Sequence, residues 1–331
     1  MLYFWIIALF SAPPDHLTLS FVGDLNFREY HDRAPFEAVR TALAEADLTV
    51  GNLEGVLLDE PVDAYQEARI NITASSTNVP LLKDSGVDVF GLANNHTWDH
   101  GAPGLSEHLG HLHGFTTFGA GDTDDAARAP YRYMHNLGCV SIVPATLKSN
   151  KRPPKHAAVF AATYDRHDLA PLVARLRAEH ARGCFVIAWV HGGKEGAPIP
   201  TKQTQADFHA LAAASDLVIG HHPHVLQGVE LAPDEAPIVY SLGNFLFINK
   251  KLDKRRSGIL DVTLVVRDGH LALDTLTMRP MIIDASSYRP RPASAAEAAD
   301  TTATLRARSA ELGTDVSLVD GHLVFTRRVS P

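Results

Sequence analysis

The chain has 331 residues, of which 45% are hydrophobic and 21% are charged, as expected for a globular protein with a substantial core. Thirty basic and 38 acidic side chains give a formal net charge of -8, which argues against a nucleic-acid-binding protein. The length allows one large domain or two ordinary ones.

The first predicted element is an apolar segment, residues 2–10, which is too short to span a bilayer. It has the character of a secretion signal, but a basic start is missing and Phe10 does not suit a small-residue cleavage site ending at Ala12. Residues 1–16 are therefore interpreted as a signal or membrane-anchor remnant, or as an extra strand packed on the domain. The protein is accordingly expected to be exported or membrane-associated, or otherwise cytoplasmic.

Apolar runs alternate with helical spacing through most of the chain. Buried strands are predicted at residues 17–22, 48–50, 87–90, 184–190, 216–219 and 237–242. Helices are predicted at residues 35–46, 103–113, 168–182 and 204–214. An antiparallel pair is expected around a turn at 136–138, and a hairpin at 259–278. This alternation predicts an α/β fold with helices on the faces of a sheet.

The composition changes after Asp284 to Ala, Pro, Thr and Arg, and residues 284–331 are interpreted as a C-terminal extension with one helix and a last hairpin. The two cysteines, Cys139 and Cys184, lie in or beside apolar strand segments. We expect both to be buried thiols, so they indicate no redox compartment.

Polar residues that can bind metal follow the predicted strands. Three imidazoles occur within four residues directly after the strand at 216–219, where packing alone would leave their ring nitrogens without partners. The complete set of candidate ligands is Asp24, Glu54, Asn95, His191, His222, His224 and Asn244. Ligands of α/β sheets bind beyond the carboxyl ends of the strands, so these residues are expected to share one metal site.

Imidazole, carboxylate and amide ligands without a thiolate suit Mn, Fe or Zn, and also Mg or Ca. The number of candidate ligands exceeds what one ion usually takes from a protein, which favours two divalent ions sharing a carboxylate. Such a pair holds an anionic group and activates water near neutral pH. His96, beside Asn95, is then a candidate proton donor or acceptor, or alternatively a residue that orients a ligand.

Six motifs in this order resemble the CapA family of capsule or poly-gamma-glutamate synthesis proteins, a branch of the calcineurin-like metallophosphoesterase superfamily. The motifs are Gly23-Asp24, Gly51-Asn52-Leu53-Glu54, Ala93-Asn94-Asn95-His96 through Asp99, His191-Gly192-Gly193-Lys194-Glu195, Gly220-His221-His222-Pro223-His224-Val225 and Ser241-Leu242-Gly243-Asn244-Phe245. The resemblance covers residues 17–283 and implies a four-layer α/β/β/α sandwich of metallophosphatase type with a dimetal centre.

By position, the resemblance implies that Asp24, Asn95, His191, His222 and His224 bind metal, that Glu54 replaces the bridging Asp of the classical phosphoesterases, and that His96 is the general acid, with Asp99 beside it. Residues that contact substrate or orient ligands are expected at Asn26, Asn52, Asn94, Glu195, His221 and Asn244. Asn26 departs from the superfamily, which has a metal-binding His at this position.

The resemblance implies a metal-dependent hydrolase or transferase that acts on a peptide or polyglutamate-like, anionic polymer, together with other capsule-synthesis components. Two alternatives remain open: a metal-dependent peptide epimerase, and a binding component of a polymer-synthesis assembly without catalysis. A phosphoesterase acting on nucleotides is weakened by Asn26 and Glu54.

Overall fold

The computed structural model describes residues 16–28, 30, 34–60, 71–150 and 157–328. The apolar segment at 2–10, predicted as a signal or anchor, lies outside the described residues. The strands are, in chain order, β1 (His16–Leu25), β2 (Leu48–Leu53), β3 (Val56–Leu58), β4 (Thr73–Ser75), β5 (Val89–Gly91), β6 (Thr116–Phe118), β7 (Ala120–Gly121), β8 (Tyr131–His135), β9 (Gly138–Thr146), β10 (Phe160–Ala161), β11 (Cys184–His191), β12 (Leu217–His221), β13 (Val229–Glu230), β14 (Ile238–Val239), β15 (Asn244–Leu246), β16 (Arg256–Arg267), β17 (His270–Ile283), β18 (Pro290–Pro292), β19 (Thr314–Val319) and β20 (His322–Arg327). The α-helices are α1 (Arg40–Leu43), α2 (Val79–Lys83), α3 (Gly101–His111), α4 (Asp124–Arg128), α5 (Ala170–His180), α6 (Lys202–Ala212) and α7 (Ala295–Ser309).

Two of the predicted elements differ from the structure. The helix predicted at 35–46 is reduced to α1, and turns precede it. The apolar spacing of this segment marks the residues that are buried, and it does not require a helix. Phe36, Val39 and Leu43 are all buried although turns precede α1. The strand predicted at 237–242 is limited to β14, and the chain then enters β15 in the other large sheet. None of the described helices is long and apolar enough to cross a membrane.

The strands form two large sheets. In the ten-stranded sheet, β1, β2, β5 and β6 run parallel, and β16, β17, β20 and β19 continue it in antiparallel fashion on the other side of β1. In the six-stranded sheet, β9, β11, β12 and β14 run parallel, with β8 and β13 as antiparallel edges. The structure therefore confirms a mixed α/β fold.

The hydrophobic core lies between the two sheets and on their outer faces. One cluster joins Phe21 and Val50 of the ten-stranded sheet, called the longer sheet below, to Ile187 and Ile219 of the six-stranded sheet, called the shorter sheet. A second cluster packs residues of the longer sheet against the helices α1 and α2. A third packs the shorter sheet against α5 and α6. Burial on both faces explains why β11 is almost continuously apolar, whereas β1 has the small polar residues Thr18 and Ser20 between its apolar ones.

The segment after residue 283 continues the longer sheet. β18 and β20 both pair with β17, and β19 pairs with β20. Leu305 of α7 and Phe325 of β20 join the core between the sheets. The predicted C-terminal helix and hairpin are thus confirmed as elements, and both pack on the preceding residues.

The prediction of two buried thiols is wrong, because Cys139 and Cys184 form a disulfide. The two residues face each other on the neighbouring parallel strands β9 and β11, with their Cα atoms 4.5 Å apart. Such pairing depends on which strands are neighbours, and apolar patterning does not reveal it. Disulfides persist mainly in oxidising compartments.

Candidate metal centre

The carboxyl ends of strands from both sheets meet at one place. Asp24 at the end of β1 is in register with Asn52 of β2 and with Asn244 of β15, while His191 of β11 is in register with His221 of β12. The two sets touch, since Nδ1 of His221 lies 3.3 Å from Oδ1 of Asp24. The site is therefore built from both sheets.

Backbone geometry at these strand ends allows the close approach. A Cβ atom on Gly23 would lie only 2.1 Å from the carbonyl oxygen of Gly243, so a side chain at Gly23 would push β1 and β15 apart. His222 and His224 have φ angles of 97° and 57°, a region that non-glycine residues rarely occupy. Such backbone conformations concentrate at functional sites, where the surrounding structure holds them.

A first group of ligand atoms comprises Asp24, Glu54 and His224. All three residues are buried, and their ligand atoms lie within 4.8 Å of one another. The imidazole of His224 lies between the carboxylates, with Nδ1 3.0 Å from Oδ2 of Asp24 and Nε2 3.5 Å from Oε1 of Glu54. These buried acidic and histidine groups could hold a metal ion.

A second group adjoins the first through Glu54. Nε2 of His191 lies 2.7 Å from Oδ1 of Asn95 and 4.0 Å from Oε1 of Glu54. The rings of His191 and His222 are 5.0 Å apart, centroid to centroid. Oε1 of Glu54 therefore faces candidate ligands on both sides.

Unsatisfied buried atoms provide a test of whether a cation fits. Within the described part of the chain, buried side-chain atoms without a hydrogen-bond partner include Asn52 Oδ1, both Glu54 oxygens, His221 Nε2 and His222 Nδ1. Leaving buried polar atoms unpaired costs about 1–3 kcal/mol each. Carboxylate oxygens and imidazole nitrogens are also the donors that divalent metal ions prefer. The residues present thus fit a metal ion.

The ionisation of these groups reflects burial and the concentration of charge. Burial, reinforced by the charge of Asp24, raises the pKa of Glu54 to about 7. Burial lowers the pKa of His224, but the charges of Glu54 and Asp24 outweigh it and raise the pKa to about 9. Burial and the neighbouring His224 lower the pKa of His222 to about 3, and burial likewise holds the pKa of His191 well below its usual range. Burial therefore favours the neutral forms of His191 and His222, which keep the lone pairs that metal ligation requires.

His96 forms a hydrogen-bonded pair with Asp99 next to this centre. Nδ1 of His96 lies 2.5 Å from Oδ2 of Asp99, and Nε2 lies 3.9 Å from Oε1 of Glu54. Asp99 also accepts a hydrogen bond from the backbone N–H of Ile72, which holds the carboxylate in place. A carboxylate at Nδ1 fixes the ring tautomer, so Nε2 is the nitrogen available for proton transfer.

Comparison with known proteins gives the family. Residues 18–249, more than half of the chain, match the family described as bacterial capsule synthesis protein PGA_cap. The chain belongs to this family.

Two curated relatives come from Bacillus species. The chain is 27% identical over 251 residues to the PGA biosynthesis protein CapA of Bacillus subtilis (strain 168), an alignment that covers 70% of this chain and 64% of the relative. It is 27% identical over 304 residues to the capsule biosynthesis protein CapA of Bacillus anthracis, covering 84% of this chain and 72% of that protein. A crystal structure of a hypothetical protein from Thermus thermophilus aligns with a TM-score of 0.48 and 16% identity, over 80% of this chain and 99% of that one.

Three of the remaining predicted residues of this PGA_cap chain, Asn52, Asn244 and His221, contact the candidate ligands Asp24 and His224. Nδ2 of Asn52 donates a hydrogen bond of 2.8 Å to Oδ1 of Asp24. Oδ1 of Asn244 lies 3.0 Å from Nδ1 of His224, while its amide donates to the backbone carbonyl of Lys254. The ring of His221 packs against Trp189 with 4.2 Å between centroids.

The other three predicted residues lie at the margin of the site. Asn94 donates to the carbonyl of Leu53 and accepts from the N–H of His96, which joins the two loops that carry Glu54 and His96. Oδ1 of Asn26 accepts a hydrogen bond from the N–H of Arg28 in a local turn. Glu195 is exposed and its carboxylate accepts a hydrogen bond of 3.0 Å from Nζ of Lys254.

Sequence reasoning missed Asn150, which contacts the His96–Asp99 pair. Its Nδ2 lies 3.4 Å from Oδ1 of Asp99 and its Oδ1 accepts a hydrogen bond from Asn95. Asn150 follows a strand in the shorter sheet by several residues and belongs to no motif. Only the packing of the two sheets brings it to the site.

Proposed function

We propose that this PGA_cap protein is a metal-dependent hydrolase or transferase of capsule or poly-gamma-glutamate synthesis or export. Family membership and the names of the two Bacillus relatives support the pathway. We further propose that the two sheets with helices on their outer faces form a four-layer α/β/β/α sandwich of metallophosphatase type. Residues 17–283 would be its domain, with residues 284–331 as an extension.

One observation carries the proposal: three imidazoles from different parts of the fold face one buried carboxylate. Oε1 of Glu54 lies 3.5 Å from His224, 4.0 Å from His191 and 3.9 Å from His96. A buried carboxylate so surrounded suits a bridge between two cations. One ion would be held by Asp24, Glu54 and His224, and the other by Glu54, Asn95, His191 and His222.

Divalent ions in such a pair supply charge that polarises a carbonyl or phosphoryl group and activates water. The residues around them hold and orient the substrate and move the proton. Nε2 of His96 donates a proton to the leaving group, while Asp99 is a positioning residue that accepts the hydrogen bond from Nδ1. Asn52 and Asn244 hold Asp24 and His224 in place for ligation.

A cavity of about 410 Å³, lined in part by Gly193 and Lys194 of the loop that follows His191, supports an anionic substrate. Its lining includes Lys148, Arg166 and Lys194, together with Asp165 and Asp207. Nη2 of Arg166 lies 3.9 Å from Oδ2 of Asp207 and is paired with it, so the two lysines are the cations placed to meet an incoming carboxylate. We propose a peptide or polyglutamate-like polymer as the substrate class.

The test is turnover and metal content measured on the same preparations. Purified protein with added Mn²⁺ or Zn²⁺ is assayed against poly-gamma-glutamate and model phosphodiesters. His96→Gln is expected to lower turnover about 100-fold or more, because it removes the proton donor, while the metal content is unchanged. His113→Gln is the matched control, because His113 is an exposed histidine that follows the end of α3.

Two results would contradict the proposal. One is a wild-type protein that binds no divalent ion at its buried carboxylates, and the other is a His96→Gln protein that retains full turnover. A Glu54→Gln variant completes the test, since it is expected to lose metal and activity together.

A second candidate, a binding component without catalysis, is favoured by Asn26. This residue stands where the wider superfamily has a metal-binding His, and its oxygen is already engaged by the N–H of Arg28. Tight binding of poly-gamma-glutamate combined with no turnover under every metal would select this alternative.

A further inference from the structure

We infer a second metal site, separate from the centre described above, formed by Asp59, Glu107 and His111. The ligand atoms of these three residues lie within 4.8 Å of one another, and none of the residues belongs to the central site. The site would take Zn²⁺ or a similar first-row divalent ion. It goes beyond the proposed function and does not depend on it.

Two elements bring the three side chains together. Asp59 directly follows β3, while Glu107 and His111 are four residues apart on α3 and therefore share one face of that helix. The backbone N–H of Asp59 donates a hydrogen bond of 2.7 Å to Oε1 of Glu107, which fixes the end of β3 against the helix. The hydroxyl of Ser76 donates to Oδ1 of Asp59 and holds that carboxylate in place. Both carboxylates are thus positioned by hydrogen bonds from neighbouring segments.

The position of the imidazole nitrogen leaves room for an ion between the three side chains. Nε2 of His111 lies 3.4 Å from Oδ1 of Asp59 and 3.5 Å from Oε1 of Glu107. The same nitrogen is shielded from solvent and makes a hydrogen bond to neither oxygen. A nitrogen nearly equidistant from two carboxylate oxygens either pairs with both as a protonated imidazole or shares a bound cation with them, and zinc binding separates the two arrangements.

The spacing agrees with tetrahedral coordination. Bonds of about 2.0–2.1 Å to Zn²⁺ at tetrahedral angles separate neighbouring ligand atoms by about 3.4 Å. The two nitrogen-to-oxygen distances, 3.4 and 3.5 Å, match this separation. The Asp59 side chain is 69% exposed, so the remaining coordination position is open to water. Imidazole with two carboxylates suits Zn²⁺ better than Ca²⁺ or Mg²⁺, which prefer oxygen ligands alone.

The site joins the two segments that carry central residues. Glu54 lies just before β3, and His96 and Asp99 lie just before α3. A neighbouring contact already connects the same elements, because the N–H of Leu57 donates a hydrogen bond of 3.0 Å to Nδ1 of His108. An ion bound by Asp59, Glu107 and His111 would hold these segments together from the outer side.

The test compares zinc binding by two histidine variants of the full chain. His111→Asn removes the proposed ligand, and His113→Asn, an exposed histidine two residues further along, is the matched control. Zinc equivalents per chain are measured by elemental analysis after dialysis against buffered Zn²⁺, and the midpoint of thermal unfolding is measured with and without zinc. Glu107→Gln tests the same site through a second ligand.

We expect wild type and His113→Asn to bind one zinc equivalent more than His111→Asn and Glu107→Gln. Zinc should also raise the melting temperature less in His111→Asn and Glu107→Gln than in wild type and His113→Asn. Cobalt in place of zinc adds a spectroscopic readout, since tetrahedral Co²⁺ absorbs strongly in the visible range and this absorption should weaken with His111→Asn. Equal zinc equivalents in all four proteins would overturn the inference, whatever the central site binds.

Discussion

At the scale of single residues, the central site concentrates negative charge where water is excluded. Asp24 and Glu54 are both buried, and His224 lies between them as the nearest cation. Its pKa, raised to about 9, means that a proton on His224 balances this charge when no metal does so. A metal ion bound by His224 would displace that proton, because an imidazole binds metal only in its neutral form.

His108 provides a prediction about pH and stability outside the central site. Its Nδ1 accepts a hydrogen bond from the N–H of Leu57, and burial lowers its pKa from 6.5 to about 3. The imidazole of His108 is therefore protonated below about pH 6.5 in the unfolded chain, but only below about pH 3 in the folded chain. Stability from this residue is present above pH 6.5 and is lost as the pH falls.

Because of this pKa difference, we expect the free energy of unfolding to fall by about 2 kcal/mol when the pH is lowered from 7 to 5. The measurement is urea unfolding of wild type and His108→Gln at both pH values. The variant, which cannot titrate at this position, should lose less stability than wild type over the interval. His113→Gln should follow wild type, and parallel pH profiles for wild type and His108→Gln would contradict the prediction.

At the scale of elements, the crossing from β14 to β15 organises the site. The chain leaves the shorter sheet at β14 and pairs β15 with β1 in the longer sheet, so that Asn244 faces Asp24. The sequence predicted one strand here, because the apolar run is continuous and shows no sign of a change of sheet. The glycines Gly23 and Gly243 make the crossing possible by allowing two backbones to touch.

Gly23→Ala is expected to destabilise the fold by about 3 kcal/mol, because the new Cβ would lie 2.1 Å from the carbonyl oxygen of Gly243. Chemical unfolding measures the loss. The control is Gly110→Ala on α3, where a Cβ meets nothing within 4 Å and helix propensity should raise stability by up to about 1 kcal/mol. A Gly23→Ala protein as stable as wild type would show that β1 and β15 do not pack this closely.

At the scale of the whole molecule, two sheets share one core and contribute jointly to one site. Asp24, Asn52 and Asn244 come from the longer sheet, while His191 and His221 come from the shorter one. Loss of packing between the sheets would therefore separate the candidate ligands. Stability and metal affinity should fall together in variants of the core between the sheets.

The disulfide contributes at the same scale. It joins residues 45 positions apart, and closing a loop of this length in the unfolded chain is worth about 4 kcal/mol in the chain-entropy treatment. We expect reduction to lower the unfolding free energy by about this amount. Urea unfolding with and without reductant measures it, and a Cys139→Ser, Cys184→Ser double variant should match the reduced protein. Two free thiols titrated in denatured, unreduced protein would contradict the bond itself.

The sequence alone determined the mixed α/β class, most of the helices and strands, and the residues at the strand ends. Periodicity of apolar residues is a local property, and the position of Asp24 or His191 directly after a buried run can be seen without coordinates. The six motifs also indicated the family to which the chain belongs.

Only the tertiary structure decided which of these residues meet. Three contacts join residues that are distant along the chain. They are the disulfide between β9 and β11, the approach of Asn150 to Asp99, and the contact of Asp59 with Glu107 and His111 of α3. Such contacts depend on which strands are neighbours, in which register, and how two sheets face each other. Local patterning does not encode these relations residue by residue, because they result from the burial of the whole core.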